Sequence, residues 1–216
     1  MKRFYQQELD DIRTKLILIG EKAKEAAIIA TEGFLEDDLE KLNRAIDLDD
    51  TIDQLEAEID QASVRYVTLR SPVSTDVRFI LVAIKASHDL ERAGDEAEKI
   101  ALQAKKILSK DGVSGETLNI GEMINITSAM MQDAITALIE EDVELAQGVI
   151  ERDKKVNELN KKNFKFFSDS TETDRSENAT FFQKIFISKS IERIADHAKN
   201  LAEEVIYLLT GIQNPN

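Results

Sequence analysis

Two pairs of carboxylates are spaced so that each pair shares one side of a helix. Asp49 and Asp53 are four residues apart, and so are Glu91 and Asp95. Residues at i and i+4 lie one above the other, with Cβ atoms roughly 5–6 Å apart. The pairs are also symmetric about Pro72: Asp49 and Asp95 each lie 23 residues from it, Asp53 and Glu91 each 19. A turn at Pro72 would set the four acids at one height on neighbouring antiparallel helices. Carboxylates so placed repel one another and raise each other's pKa unless a cation intervenes. Oxygen ligands suit hard or borderline cations such as Mg²⁺, Ca²⁺, Mn²⁺ or iron, whereas zinc more often recruits His or Cys. Asp153, Asn157, Glu192 and Asp196 repeat the arrangement about a midpoint at Asp174 and Arg175. One acidic pair alone indicates little, because such pairs are common on solvated helix faces. Two crossing pairs, repeated in both halves of the chain, are what point to a metal.

The elements that would carry these acids are legible as an internal repeat. Phe34–Leu39 matches Leu138–Val143, and the match runs without a gap to Leu55 and Leu159 at a constant offset of 104 residues. Ser87–Ala101 (SHDLERAGDEAEKIA) matches Ser188–Ala202 (SKSIERIADHAKNLA) at an offset of 101. Within the copies, apolar and small residues recur at alternating steps of three and four. They run Leu9, Ile12, Leu16, Ile19, Ala23, Ala26, Ala30; then Leu48, Ile52, Leu55, Ile59, Ala62, Tyr66, Leu69; then Ala83, Ser87, Leu90, Gly94, Ala97, Ala101, Ala104, Leu108. Ser188, Ile191, Ala195, Ala198, Ala202, Val205 and Leu209 repeat the last stripe. Such stripes are the buried seams of packed helices. Glu91 and Asp95 directly follow the seam residues Leu90 and Gly94, which puts them at the edge of the core.

Breaks near Gly33, at Arg70-Ser71-Pro72, near Glu141 and across Ser168–Ser176 divide each copy into three helices running up, down and up. A linker near residues 110–117 joins the copies. The expectation is an all-α protein of two tandem three-helix bundles, residues 1–112 and 113–216, related by a pseudo-twofold internal repeat.

Composition bounds what such bundles can do. The chain has 216 residues, 42% of them hydrophobic, with only 8 glycines and 2 prolines, so long helices with a real core are expected. A net charge of −14 opposes binding to phosphate backbones, which argues against nucleic acid as a partner, and disfavours anionic lipid surfaces. The absence of cysteine removes disulfides, thiolate metal sites and cysteine nucleophiles, and fits a cytoplasmic location. Residues 1–8 contain no apolar stretch of the secretory kind. The longest strongly apolar run, Phe79–Ile84, falls far short of the roughly 20 residues that span a bilayer, so no direct membrane insertion is expected.

Other candidates are weaker. Arg92 and Arg193, inside the two Glu-Arg-x-x-Asp strings, have the chemistry to hold a partner's carboxylate or an anion, although solvated intrahelical pairing accounts for them more simply. His88 and His197 are not equivalent between the copies and read as ordinary polar residues. The aromatic cluster Phe164, Phe166, Phe167, Phe181, Phe182 and Phe186 is expected to fill core at one end, and Ser168–Ala179 to form a mobile loop.

The strings Asp89-Leu90-Glu91-Arg92-Ala93-Gly94-Asp95 and Ile191-Glu192-Arg193-Ile194-Ala195-Asp196-His197 resemble the signature of the PhoU family. So do Arg70-Ser71-Pro72 followed by Asp76-Val77-Arg78, and Asp153-Lys154-Lys155-Val156-Asn157. The resemblance covers nearly the whole chain. It implies a non-enzymatic negative regulator of the phosphate-starvation response and of high-affinity phosphate uptake. It implies as partners the ATPase subunit of a phosphate ABC transporter, a phosphate sensor histidine kinase and a second copy of the chain. It further implies a cytoplasmic protein recruited by its partners to the inner face of the membrane. A metal, divalent or trivalent (Mg, Mn, Fe or Zn), would sit on Asp49, Asp53, Glu91 and Asp95 and on Asp153, Glu192 and Asp196. Asn157 departs from the pattern where an acid would complete the second set.

Two other readings have different chemistry. A carboxylate-bridged di-metal enzyme would need inward-facing Glu-x-x-His pairs, and neither histidine sits three residues after a glutamate. No Gly-x-x-x-x-Gly-Lys string is present to bind ATP in that way. A plain helical scaffold would share the fold without binding metal.

Overall fold

The computed structural model describes residues 2–111, 116–169 and 175–212. Six helices occupy them: α1 (Lys2–Leu35), α2 (Leu39–Arg70), α3 (Ser74–Asp111), α4 (Ile120–Glu140), α5 (Val143–Asp169) and α6 (Arg175–Thr210). There is no strand among the described residues. The boundary read between residues 112 and 113, and part of the linker around it, lie outside them.

Equivalent turns in the two copies use equivalent chemistry. Asp37 and Glu141, related by the offset of 104, both adopt a left-handed conformation with φ 57° that closes the preceding helix. The next residue in each copy caps the following helix. Asp38 accepts from the backbone N–H groups of Glu40 (2.9 Å) and Lys41 (3.2 Å), and Asp142 accepts from that of Leu145 (3.0 Å). Each cap satisfies amides that the first helical turn leaves without partners. The α2–α3 hairpin turns through Ser71, also left-handed, at the predicted pivot.

The helices of each copy pack on one another, and the copies then pack α3 against α6 and α1 against α4. One continuous core crosses both copies. The stripes predicted on α1 to α3 and α6 are largely buried, with Leu69, exposed at the end of α2, as the exception. The face of α3 turned to α6 is a second buried stripe, which includes Val82, Ala86, Ala93 and Ile100. Polar contacts rim this junction: the ion pairs Lys85–Glu204 at 2.8 Å and Glu96–Arg193 at 3.2 Å, and a hydrogen bond between Asp89 and His197 at 2.9 Å. α3 lies close against α2 at Gly94, where an added Cβ would stand 2.8 Å from Ile52 Cδ1. The missing side chain brings Glu91 and Asp95 up against the acidic face of α2.

Two expectations for the second copy are corrected. Phe167 is fully buried, with Phe166 and Phe181 packed on the core, but Phe164, Phe182 and Phe186 point outward. Core volume at the α5–α6 end is already filled by the stacked Phe167 and Phe181 rings, 6.1 Å apart, with Lys184 lying over both. Residues 168–169 and 175–179, read as part of a mobile loop, belong to α5 and α6.

Candidate metal centre on the α2–α3 face

Asp49 and Asp53 lie on α2, and Glu91 and Asp95 on α3, in the antiparallel register that the symmetry about Pro72 requires. Burial pushes the Asp49 carboxyl up to about 6 from an ordinary value near 3.8, and the charges of Glu98, Asp53, Asp95 and Glu91 push the same way. Glu91 is also raised, by burial first and by Asp95 second. Asp49 Oδ1 and Glu91 Oε2 are shut off from solvent and have no hydrogen-bond partner. Buried carboxylate oxygens without donors are costly and call for compensation.

Sequence reasoning missed Glu56 and Glu98 and read His88 as an ordinary polar residue. Glu56, one turn beyond Asp53, and His88, one turn before Glu91, join the face: His88 Nδ1 lies 3.2 Å from Glu56 Oε1 and 3.9 Å from Glu91 Oε2. Glu56, His88 and Glu91 each offer a ligand atom, and these atoms all lie within 4.8 Å of one another. The four predicted acids share the face but are not drawn together as a group this tightly. Glu98 is the third addition, felt by Asp49. The signal for Glu56 and Glu98 was present as one further helical turn of acid after each motif, at i+7 from Asp49 and from Glu91. Arg92 pairs within its own helix, with Asp95 at 3.3 Å and Glu91 at 3.5 Å.

The α5–α6 face has the same layout but a different charge balance. Asp153 and Asp196 are raised, each by burial first, and Asp153 Oδ1 is buried without a partner. Here the protein supplies its own compensation. Asn157 donates to Asp153 at 2.9 Å, Lys199 lies 4.0 Å from the same carboxylate, and Lys189 pairs with Glu192. By the two offsets, Lys199 stands where the first copy has Glu98, Lys189 where it has His88, Asn157 for Asp53 and Asn160 for Glu56. Arg193, equivalent to Arg92, reaches across to Glu96 instead of pairing within its helix. Burial raises Glu96, but hydrogen bonds from Ser190 and Lys99 together with the Lys99 and Arg193 charges outweigh it, and its pKa is lowered.

The donor set on α2–α3, carboxylates plus one imidazole around unsatisfied buried oxygens, fits a borderline divalent or trivalent ion. The set on α5–α6 fits one less well, because lysines already occupy the electrostatic role. A cleft of about 1150 Å³ between α1 and α2 lies on another flank, where Glu8 and Glu58 are already paired with Arg70 and Lys15.

The raised Asp49 sets a pH dependence. A carboxyl whose folded pKa exceeds its unfolded one favours folding when protonated. That contribution is complete below about 3.8 and is lost as pH rises through about 6. Asp49→Asn is therefore expected to stabilise the chelator-treated chain at pH 7 by about 1 kcal/mol, a figure held down by solvent screening, and to change little at pH 4. Urea melts of both chains across this range would check it, and a difference that does not vary with pH would refute the assignment.

Comparison with known proteins places the fold and its repeat. The PhoU domain family model matches twice, over residues 16–104 and 120–205. The chain is 33% identical to a protein of Pseudomonas aeruginosa described as a phosphate-specific transport system accessory protein PhoU homolog, across 96% of this chain and 86% of that one. A protein of Clostridium acetobutylicum with the same description is 29% identical, across 98% and 97%. The crystal structure of PhoU from Pseudomonas aeruginosa superposes with a TM-score of 0.92 at 31% identity, covering 96% of this chain and all of that one. The fold also matches the phosphate transport system regulatory protein PhoU from Streptococcus pneumoniae, with a TM-score of 0.88 at 23% identity. With both repeats matched and the six helices superposed, this chain belongs to the PhoU family.

Proposed function

We propose that this protein is a negative regulator of the phosphate-starvation response and a modulator of high-affinity phosphate uptake. It acts by contact with the ATPase subunit of the phosphate transporter and with a sensor histidine kinase, not by catalysis. The observation that carries the reading is the family match over both repeats, to relatives described as phosphate transport accessory proteins. No helix among the described residues is long and apolar enough to cross a membrane, which favours recruitment to the inner face of the membrane through those partners over insertion. In this reading the protein is cytoplasmic and works as a homodimer.

The α2–α3 face holds a metal ion in this proposal. Asp49, Asp53, Glu91 and Asp95 are its principal ligands, with Glu56 and His88 at one edge. The ion would offset the burial and the repulsion that raise Asp49 and engage the buried Asp49 and Glu91 oxygens that accept no hydrogen bond, fixing α2 against α3. Asp153, Asn157, Glu192 and Asp196 form the lesser site. A pull-down of the tagged chain from phosphate-replete cells should enrich the transporter ATPase subunit and the sensor kinase over an untagged control. Enrichment of neither would favour the plain scaffold.

A further inference from the structure

Three phenylalanines on the second copy contribute little to the fold. Phe164, Phe182 and Phe186 are 56%, 55% and 58% exposed. Their equivalents in the first copy are Asp60, Leu81 and Lys85, so the same helix pair packs without aromatic residues at these places. Phe182 and Phe186 stand one turn apart on α6. Phe164 lies seven residues beyond Asn157 on α5, on the flank turned to α6, at the height where Asn163 bonds to Ser188. A contiguous exposed apolar patch rimmed by polar residues marks an interaction surface.

The charge around them is the second observation. Residues 154–165 carry five lysines and one glutamate, in a chain whose net charge is −14. Lys161, Lys162 and Lys165 are exposed beside Phe164. The equivalent residues of the first copy, Ala57, Glu58 and Gln61, supply no positive charge. One face of the repeat is thus acidic and the other aromatic and basic.

We propose that the outer α5–α6 face is a docking surface for an acidic amphipathic helix of a partner protein. The shallow groove between two packed helices accepts a third helix that presents apolar residues at i, i+3 or i+4, and i+7. Phe164, Phe182 and Phe186 would meet that stripe, and Lys161 and Lys165 the acids along its edge. A protein partner is favoured over an anionic bilayer because the chain as a whole is repelled by such a surface. The surface does not depend on metal at the α2–α3 face.

The test uses the full chain and a fluorescent synthetic helix with leucines on one face and glutamates along both edges. A twin carrying lysines in place of the glutamates is the control, and anisotropy is the readout. The acidic helix should bind, more weakly as salt rises, and the lysine twin about tenfold less well. Replacing all three phenylalanines by serine should weaken binding roughly thirtyfold or more. Lys161→Glu with Lys165→Glu should weaken it about tenfold. Phe164→Ser alone serves if the triple variant melts early, and Asp53→Asn with Glu91→Gln should leave binding intact. Equal binding of the two helices, or full binding by the phenylalanine variants, would overturn the proposal. It would equally be overturned if those variants abolished only sedimentation with phosphatidylglycerol vesicles, or only self-association, while the acidic helix went unbound.

Discussion

Replacing Asp53 and Glu91 by Asn and Gln is expected to abolish most of the rise in melting temperature that Mn²⁺ gives the wild-type chain, whereas replacing Asp153 and Glu192 in the same way is expected to remove much less. A cation that binds only the folded chain stabilises it by about 2.7 kcal/mol at a hundredfold excess over its dissociation constant. For a chain of this size that corresponds to roughly 5–10 °C. The asymmetry has two sources. Residues 34–60 hold eleven acids and two bases, a local charge of −9, against seven and five, or −2, in the matching residues 138–164. More locally, the second face has exchanged Glu98 for Lys199, His88 for Lys189, and Asp53 and Glu56 for asparagines. Each exchange either deletes a ligand or installs a resident cation, so an incoming ion gains less there. Melting curves of the three chains with and without Mn²⁺ or Mg²⁺ would decide it. Equal losses from both variants would reject the asymmetry, and an unresponsive wild type would return all these acids to ordinary surface chemistry.

A strain lacking this protein is expected to express its phosphate-scavenging genes in phosphate-rich medium at the level a wild-type strain reaches only under starvation. The physical reason lies in how such a protein can act. It has the family's fold, no helix among its described residues is long and apolar enough to cross a membrane, and the proposed reading has it act through contacts with the transporter and the kinase. In that reading, removing the inhibitor leaves the kinase in its signalling state whatever the phosphate supply, a population shift and not a change in chemistry. Transcript levels in the two strains at high phosphate would check this, and normal silencing in the deletion strain would sink the regulatory assignment.

How far the fold could be read from the chain differs by element. The α2–α3 hairpin was readable because Asp49, Asp53, Glu91 and Asp95 share a pivot at Pro72 and the seams keep one period. The packing of α3 on α6 was not. That contact uses Val82, Ala86, Ala93 and Ile100, small or β-branched residues interleaved with the recognised stripe, and a periodicity search that keeps one seam discards the other. Glu56, His88 and Glu98 escaped because, outside the motif, a single acid or histidine one turn further on looks like any solvated residue. The outward phenylalanines escaped for the converse reason. A run of aromatics is normally read as core, and only the packing of Phe167 against Phe181 shows that the core has no room for the rest.

Because the proposed function joins a regulator's role to a metal-held α2–α3 hairpin, the acid-lined face should be needed for phosphate repression, and complementation tests this most directly. A reporter driven by a phosphate-repressed promoter would be measured in the deletion strain at high phosphate, carrying either the wild-type chain or the Asp53→Asn, Glu91→Gln chain at matched, folded levels. The wild-type chain should silence the reporter and the variant should leave it on. Full silencing by the variant would contradict the claim.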